Sequence, residues 1–204
     1  MEEKQFNLNQ KLKNSKIEKK IFLFLPLIFL VGIGIRFYYT PYEIPLSFDG
    51  FAGYFLYALD ISILKDFPSY SPAQSGWGEF LSLFFMNFHS DDLMDLMNLQ
   101  RIISTILSGI TVIPIFFICK KFFNSNYSLI GASIFALDPR IIINSTLGIS
   151  EPLYILAITL GILLFLNSNK KIIYSSFSFF ACATIIRPEG QFWFLAFSVI
   201  YFLR

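Results

Sequence analysis

The chain has 204 residues, of which 55% are hydrophobic, 19% aromatic and 15% charged, and its formal net charge is +2. Soluble globular proteins are about 45 to 50% apolar and about a quarter charged, so this composition predicts an all-α integral membrane protein. The net charge is too small to indicate a nucleic-acid partner, and the distribution of the basic residues is explained by the membrane itself.

A lysine-rich tail opens the chain, and a first apolar run follows it. Residues 1–20 carry six lysines and are predicted to lie outside the hydrocarbon, on the membrane surface or without fixed structure. Residues 21–39 contain one charge, Arg36, and are long enough to span about 30 Å of hydrocarbon at about 1.5 Å per residue. Since no small-residue cleavage site follows, we expect a retained membrane anchor.

Residues 40–100 form a long, proline-containing link that is predicted to be a large loop outside the membrane. Within it, residues 50–64 and 79–88 are apolar but too short to span a bilayer, so we predict two helices lying in the membrane interface. Asp49 precedes the first of them, where helix capping alone would account for a short acidic side chain. The eight carboxylates of the loop are Glu43, Asp49, Asp60, Asp66, Glu79, Asp91, Asp92 and Asp95.

The later apolar runs lie at residues 102–118, 127–137, 141–150, 152–166, 172–186 and 191–203. The run before Asp138-Pro139-Arg140 has 11 residues, about 17 Å of helix, so this helix either ends at Pro139 or continues, broken, to about Gly148. Together with the first run, the pattern predicts about six transmembrane helices. Charges at such depth are tolerated where they line a wet cavity, which we expect here; short tilted helices with charges at the headgroups are the alternative.

The lysines set the predicted orientation. With a cytoplasmic tail, successive crossings place ten of the eleven lysines on the cytoplasmic side and only Lys65 outside, in agreement with the positive-inside rule. The 40–100 loop, the 144–151 link and the RPEG link at 187–190 then face the extracytoplasmic side.

Cysteine, histidine and aromatic residues give weaker indications. Cys119 and Cys182 lie in apolar runs, where we expect small buried residues and no disulfide or metal site. A single histidine, His89, excludes a His-rich metal cluster. Three loop aromatics are typical of a membrane-interface belt, with stacking on a sugar as the alternative. They are Tyr54, Tyr57 and Trp77.

An ordered series of short motifs resembles a known family. The series is Arg36-Phe37, Asp49, Tyr54, Arg101, FALDP, STLGISEPLYIL and IIRPEG. It resembles the N-terminal half of the multi-spanning glycosyltransferases of the GT-C type, which take a sugar from a polyprenyl-phosphate lipid. Protein O-mannosyltransferases and aminoarabinose transferases are of this type, and the catalytic subunit of oligosaccharyltransferase is a more distant relative. The resemblance covers about residues 21–204.

The resemblance implies a role for several charged residues at an extracytoplasmic site. Asp49 would be the base that draws the proton from an acceptor hydroxyl of a protein, lipid or glycan. Glu151 would hydrogen-bond to the acceptor or help to hold a divalent cation, the one candidate cofactor, and Arg187 would contact the donor phosphate. Glu189, Arg101 and Tyr54 complete the expected substrate-binding residues.

Plainer roles exist for the same residues. Glu151 is also a favourable first-turn acid before Pro152, and Arg187 could be a headgroup anchor paired with Glu189. Arg36 and Arg101 stand at ends of crossings, where we expect arginine side chains to snorkel to the interface.

The chain also departs from the family pattern. Many members follow the loop aspartate with a glutamate, where this chain has Gly50, and this leaves metal binding open. The family has about twice as many crossings, so we expect this chain to form the N-terminal part of such a transferase, incomplete as an enzyme by itself. A multi-spanning transporter and a noncatalytic membrane subunit are the alternatives.

Overall fold

A computed structural model of the protein describes residues 21, 23–68, 75–88, 90 and 92–203. Within these residues 82% of the chain is helical and no strand is present, which confirms the all-α fold class for this part of the chain. The predicted basic tail at residues 1–20, together with His89 and Arg204, lies outside the described residues.

The helices follow one another with short links. In chain order they are α1 (Leu23–Tyr39), α2 (Phe48–Gly50), α3 (Leu56–Leu64), α4 (Ser75–Phe85), α5 (Leu93–Ile110), α6 (Val112–Phe122), α7 (Ser125–Leu137), α8 (Pro139–Thr146), α9 (Glu151–Phe165), α10 (Lys170–Ile186) and α11 (Gly190–Leu203). A π-helical turn, Phe51–Phe55, joins α2 to α3.

The described part contains one helix that is long and apolar enough to cross a membrane. Helices α5 and α6 follow each other with a single turn at Thr111 and together cover the 30 residues Leu93–Phe122. The predicted second crossing, residues 102–118, lies inside this helix. Helices α1, α9 and α11 are apolar but shorter, between 10 and 17 residues. Six membrane crossings therefore stay a prediction.

The Asp138-Pro139 break divides one predicted crossing into two helices. Helix α7 ends at Leu137, and the Asp138 side chain accepts hydrogen bonds from the backbone N–H groups of Arg140 (2.9 Å) and Ile141 (3.1 Å). Pro139 is the first residue of α8, where its missing N–H is not needed. Of the two alternatives for this segment, the broken helix is the one observed.

The two helices predicted in the large loop are present, with slightly different bounds. They form a hairpin of α3 and α4 that packs against the N-terminal part of α5. Phe55, Trp77 and Leu81 are fully buried in the core between them. This packing fixes the loop on the helical bundle.

The prediction that Arg36 and Arg101 snorkel outward is wrong, because both side chains are buried, with relative exposures of 0% and 2%. Arg36 Nε donates to Ser108 Oγ (3.1 Å), and its Nη1 donates to the carbonyl oxygens of Gly32 (2.9 Å) and Ala136 (2.7 Å). For Arg36, its own helix and two neighbouring helices thus supply oxygen atoms of the kind that water or headgroups would supply at an interface.

Other burial predictions are also corrected. Cys182 is exposed and Cys119 is half-buried, and both are free thiols. Trp77 and Tyr57, predicted as interface aromatics, are buried because the α3–α4 hairpin packs its aromatic side chains inward.

Glu151 begins α9, and the link that leads to Lys170 and Lys171 follows the other end of this helix. This helix begins at Glu151 and has 15 residues, so its ends are about 22 Å apart. Just beyond its far end, Asn167 lines a cavity of about 510 Å³ together with Lys120 and Lys121. Glu151 and this lysine-lined cavity are therefore separated by the length of α9, while the membrane orientation stays a prediction.

Candidate functional site

Asp49 lies in the first turn of α2 with its side chain exposed. The N-cap of this helix is Ser47, whose Oγ accepts a hydrogen bond from the Gly50 N–H at 3.4 Å. The prediction that Asp49 sits at or near a helix N-cap is therefore confirmed, with the capping itself done by Ser47. The Asp49 carboxylate is left at the surface beside a helix N-terminus, which favours a negative charge.

Glu151 and Arg187 form an ion pair that joins the start of α9 to the end of α10. Arg187 Nη1 donates to Glu151 Oε1, and the two side chains are 22% and 28% exposed. Glu151 Oε2 is buried and has no hydrogen-bond partner within the described residues. The helix N-terminus and the guanidinium both place positive charge beside this half-buried carboxyl group.

Glu189 binds the other side of the same guanidinium. Its two oxygens accept from Arg187 Nε (3.3 Å) and Nη2 (3.2 Å), and its side chain is 52% exposed. Burial alone would lower the pKa of Arg187, but the hydrogen bonds and charges of Glu189 and Glu151 outweigh burial and raise it. The hydrogen bond from Arg187 in turn lowers the pKa of Glu189.

Tyr54 connects the loop to this ion pair. Its hydroxyl lies 3.1 Å from Ser150 Oγ, and Ser150 is the residue just before Glu151. Burial raises the pKa of Tyr54, and the nearby negative charges of Glu151 and Asp49 raise it further. The Tyr54–Ser150 hydrogen bond and the Glu151–Arg187 ion pair join three segments here, and Asp49 lies five residues before Tyr54 in the first of them.

The group of six side chains formed by this meeting is called the outer cluster. Its members are Asp49, Tyr54, Ser150, Glu151, Arg187 and Glu189. The cluster carries three carboxylates against one guanidinium. It includes five of the six predicted site residues. Ser150 was not predicted, because the only sequence feature that pointed to it was its position before Glu151.

Arg101, the sixth predicted site residue, has its described contacts elsewhere. Its Nη2 donates to the Ile44 carbonyl oxygen at 2.6 Å and its Nη1 to Asn98 Oδ1 at 3.0 Å. The Asn98 amide donates to the Tyr42 carbonyl oxygen at 3.1 Å. These bonds give Arg101 a role in holding the chain that leads to Asp49, and its contact with substrate stays a prediction.

Gln100 and Trp77 support the cluster; Gln100 was missed as a functional residue, and Trp77 was considered only as an interface or sugar-stacking aromatic. Gln100 is fully buried, and its Nε2 donates to the carbonyl oxygens of Gly50 (3.1 Å) and Gly148 (2.5 Å). Trp77 Nε1 donates to the same Gly148 oxygen at 2.9 Å. A polar residue at the start of an apolar run was the only sequence signal for Gln100.

The backbone around Gly50 leaves little space for a side chain. A Cβ atom at this position would lie 2.9 Å from the Leu147 carbonyl oxygen, a backbone atom that cannot move aside freely. The link before α9 therefore occupies the space that a side chain at position 50 would need.

The described residues offer no preformed metal site. Among them, no group of three or more His, Cys, Asp or Glu side chains is arranged to hold a metal ion. Glu151 and Glu189 both bind Arg187, so a cation would have to displace the guanidinium.

An apolar groove of about 640 Å³ begins beside the outer cluster, between the α3–α4 hairpin and helices α9 and α10. Leu153, two residues after Glu151, and Ile186, next to Arg187, line it. The charged residues on its walls are Lys65, Asp66 and Glu79.

Comparison of the chain with protein-family models, with curated proteins and with solved structures gives no match.

Proposed function

We propose that this protein is the N-terminal part of a membrane glycosyltransferase that moves a sugar from a polyprenyl-phosphate lipid to an acceptor hydroxyl. The observation that carries the proposal is the outer cluster. Segments distant in sequence bring the Tyr54 phenol, Glu151 and the Arg187 guanidinium together next to an apolar groove, and Gln100 bonds the Asp49–Gly50 segment to the same link. In this proposal six helices cross the membrane, with a cytoplasmic N-terminus and an extracytoplasmic cluster.

The reaction needs one base and one group that stabilises the leaving phosphate. The Asp49 carboxylate takes the proton of the acceptor hydroxyl, and the acceptor oxygen forms a bond to the anomeric carbon of the sugar. The bond between that carbon and the phosphate oxygen breaks, and polyprenyl phosphate leaves with the electron pair and one more negative charge. Arg187 stabilises this charge, since a guanidinium presents a planar fork of donors to phosphate.

In the structure Arg187 is bound by two carboxylates, so a donor phosphate must replace one of them. Glu189 is the partner that gives way, because it is 52% exposed and its hydrogen bonds are 3.2 and 3.3 Å long. Glu151 is the retained partner, because it is more buried and stands at the N-terminus of α9. Retaining Glu151 keeps the guanidinium oriented while its outer donors turn to the phosphate.

The groove supports a lipid-linked donor in particular. Its walls are mostly apolar side chains from α4, α9 and α10, and α9 and α10 also carry Glu151 and Arg187. A lipid chain in the groove would bring a phosphate at its head close to Arg187. Burial of each methylene group would contribute about 0.8 kcal/mol to binding.

Transfer and donor binding can be tested separately in native membranes. Membranes of cells that carry the wild-type, Asp49→Asn or Arg187→Ala chain are incubated with polyprenyl-phosphate mannose that carries a radioactive sugar and a diazirine in its isoprenoid chain. We expect the wild type to transfer the label and to be photocrosslinked. Asp49→Asn should be crosslinked normally but transfer at least about 100-fold more slowly, the usual contribution of a general base. Arg187→Ala should lose both signals.

Glu43→Gln is the matched control, because Glu43 is an exposed carboxylate of the same loop. It should behave as the wild type. Unchanged transfer by Asp49→Asn would remove Asp49 from the mechanism. A chain that is neither crosslinked nor needed for transfer would overturn the proposed function.

A transporter is the second candidate, and the buried polar face of α5 favours it. Ser104 Oγ and Arg36 Nη2 are buried and have no hydrogen-bond partner within the described residues. The cavity next to this face, lined by Ser108 and Glu151, has a volume of about 10 Å³. That is room for about one water molecule and not a passage. In proteoliposomes a transporter or scramblase should move fluorescent phospholipid between leaflets, whereas a transferase or a noncatalytic subunit should not.

A further inference from the structure

Gln100 joins two of the three segments that carry the acidic residues of the outer cluster. One segment contains Asp49 and Gly50, and the other runs from Gly148 to Glu151. The single Nε2 atom of Gln100 donates to one carbonyl oxygen in each segment. No other described side-chain nitrogen is recorded as bonding both segments.

The orientation of the Gln100 amide follows from its partners. Both atoms facing Nε2 are carbonyl oxygens, which only accept hydrogen bonds. The opposite orientation would place the amide oxygen against two acceptors, so the nitrogen is the atom that faces both carbonyl oxygens. The side chain is fully buried, so water does not compete for these donors.

The two segments also touch each other through glycines. A Cβ atom at Gly50 would lie 2.9 Å from the Leu147 carbonyl oxygen. Gly148 has a φ of +72°, in the left-handed region that favours glycine, and a Cβ there would lie 2.8 Å from Leu46 and 3.2 Å from Gln100. Trp77 adds a second donor to the Gly148 oxygen and so fixes that segment further.

We propose that Gln100 is a positioning residue, which sets the distance between the Asp49 carboxylate and the Glu151–Arg187 ion pair by tying Gly50 to Gly148. This inference rests on the proposed function for its catalytic consequence, but the tie itself is a property of the fold. An error of about 1 Å in the placement of reacting groups can lower a rate about 100-fold. Loss of the tie should therefore lower kcat by about 10- to 100-fold while KM for the lipid donor changes little, since Arg187 keeps Glu151.

Distance measurements between spin labels test the tie without an activity assay. In a chain with Cys119 and Cys182 replaced by serine, Phe48→Cys and Pro188→Cys carry the labels, because both positions are exposed and lie next to Asp49 and Arg187. Gln100→Met keeps the length of the side chain and removes its donors. We expect the label-to-label distance distribution to broaden or shift in Gln100→Met.

Ser104→Ala is the matched control, because Ser104 is equally buried one turn further along α5 and its hydroxyl has no partner within the described residues. It should leave the distribution and kcat unchanged. Trp77→Phe removes only one of the two donors to the Gly148 carbonyl oxygen and should broaden the distance distribution less. This variant replaces Gln100→Met in the experiment if Gln100→Met does not fold.

The outcomes separate the tie from the reaction. An unchanged distribution in both Gln100→Met and Trp77→Phe overturns the tie. A changed distribution with unchanged kcat for transfer from polyprenyl-phosphate mannose overturns the positioning role. If the wild type neither binds nor transfers from this donor, the proposed function fails, and the distance distribution alone decides whether Gln100 ties the segments.

Discussion

Arg187 shows how a single side chain acquires its role from its neighbours. Its guanidinium is shared between Glu151, which is held at a helix N-terminus, and Glu189, which is exposed on the link before α11. Partial burial strengthens the inner pair, while the outer pair is screened by solvent. The two carboxylates therefore differ in how readily a ligand could replace them.

The outer pair should make a small, pH-dependent contribution to stability. The pKa of Glu189 is lowered from its ordinary value of 4.5 by the hydrogen bond from Arg187. A carboxyl group with a lowered pKa in the folded state stabilises the protein above its ordinary pKa and loses this contribution as the pH falls through the lowered value. Thermal unfolding in detergent should show the wild type slightly more stable than Glu189→Gln at pH 7, with a difference that shrinks below pH 4.5 and vanishes below the lowered pKa. A difference that persists in acid would contradict the ion pair.

Gly50 should be intolerant of a side chain, in contrast to its neighbour Gly53. The Cβ of Gly50→Ala would overlap the Leu147 carbonyl oxygen, whereas nothing lies within 4 Å of a Cβ at Gly53. We expect Gly50→Ala to lower the free energy of unfolding by about 1 to 3 kcal/mol. Gly53→Ala should be neutral or stabilising by up to about 1 kcal/mol, because alanine favours helix. Thermal unfolding of the two variants checks this, and equal effects would argue against the close approach of the two segments.

At the scale of the helices, α5 combines an apolar sequence with a polar buried face. Gln100, Ser104 and Ser108 repeat every four residues and point into the bundle. Thr105 Oγ1 donates to the Ser145 carbonyl oxygen of α8, and Ser108 accepts from Arg36 of α1. In an apolar surrounding such polar contacts specify which helices pair.

The α7–α8 break should depend on the side chain that caps it. Asp138 Oδ1 satisfies the N–H groups of Arg140 and Ile141 at the start of α8. Asp138→Ala should lower the free energy of unfolding by about 0.5 to 2 kcal/mol, the usual value of an N-cap. Asp138→Asn keeps an acceptor oxygen and should change little. Thermal unfolding in detergent compares the two, and an equal loss in both would assign the effect to the charge.

At the scale of the molecule, the charges divide between the two ends of the bundle. The outer cluster begins α9, and the cavity that contains Lys120, Lys121 and Asn167 lies beyond its other end. Lysine-rich links are retained on the cytoplasmic side of membrane proteins. The proposed topology and the proposed site therefore both require the outer cluster to face the extracytoplasmic side.

Cysteine labelling in intact cells tests this orientation. In a cysteine-free chain, Glu43→Cys and Pro188→Cys belong to the cluster end, and Ser168→Cys belongs to the lysine end; all three positions are exposed. A membrane-impermeant maleimide should label the first two in intact cells and the third only after permeabilisation. Labelling of Ser168→Cys in intact cells would reverse the topology.

The sequence by itself determined the helical class, the helices of the large loop and the break at Asp138-Pro139. Hydrophobic runs, their lengths and the cap and proline signals are local properties, so they can be read from neighbouring residues. It also named Asp49, Glu151 and Arg187 as candidates, through the resemblance of the motifs that contain them.

Only the tertiary structure decided how these residues are related. Arg36 and Arg101 are buried because oxygens from distant segments face them, and no local pattern predicts that supply. Glu151 meets Arg187 across 36 residues, and Gln100 reaches Gly50 and Gly148 across 50 and 48 residues. Contacts of this separation depend on how helices pack, which is why the sequence could name the charged residues of the site but not the buried amide that holds them in place.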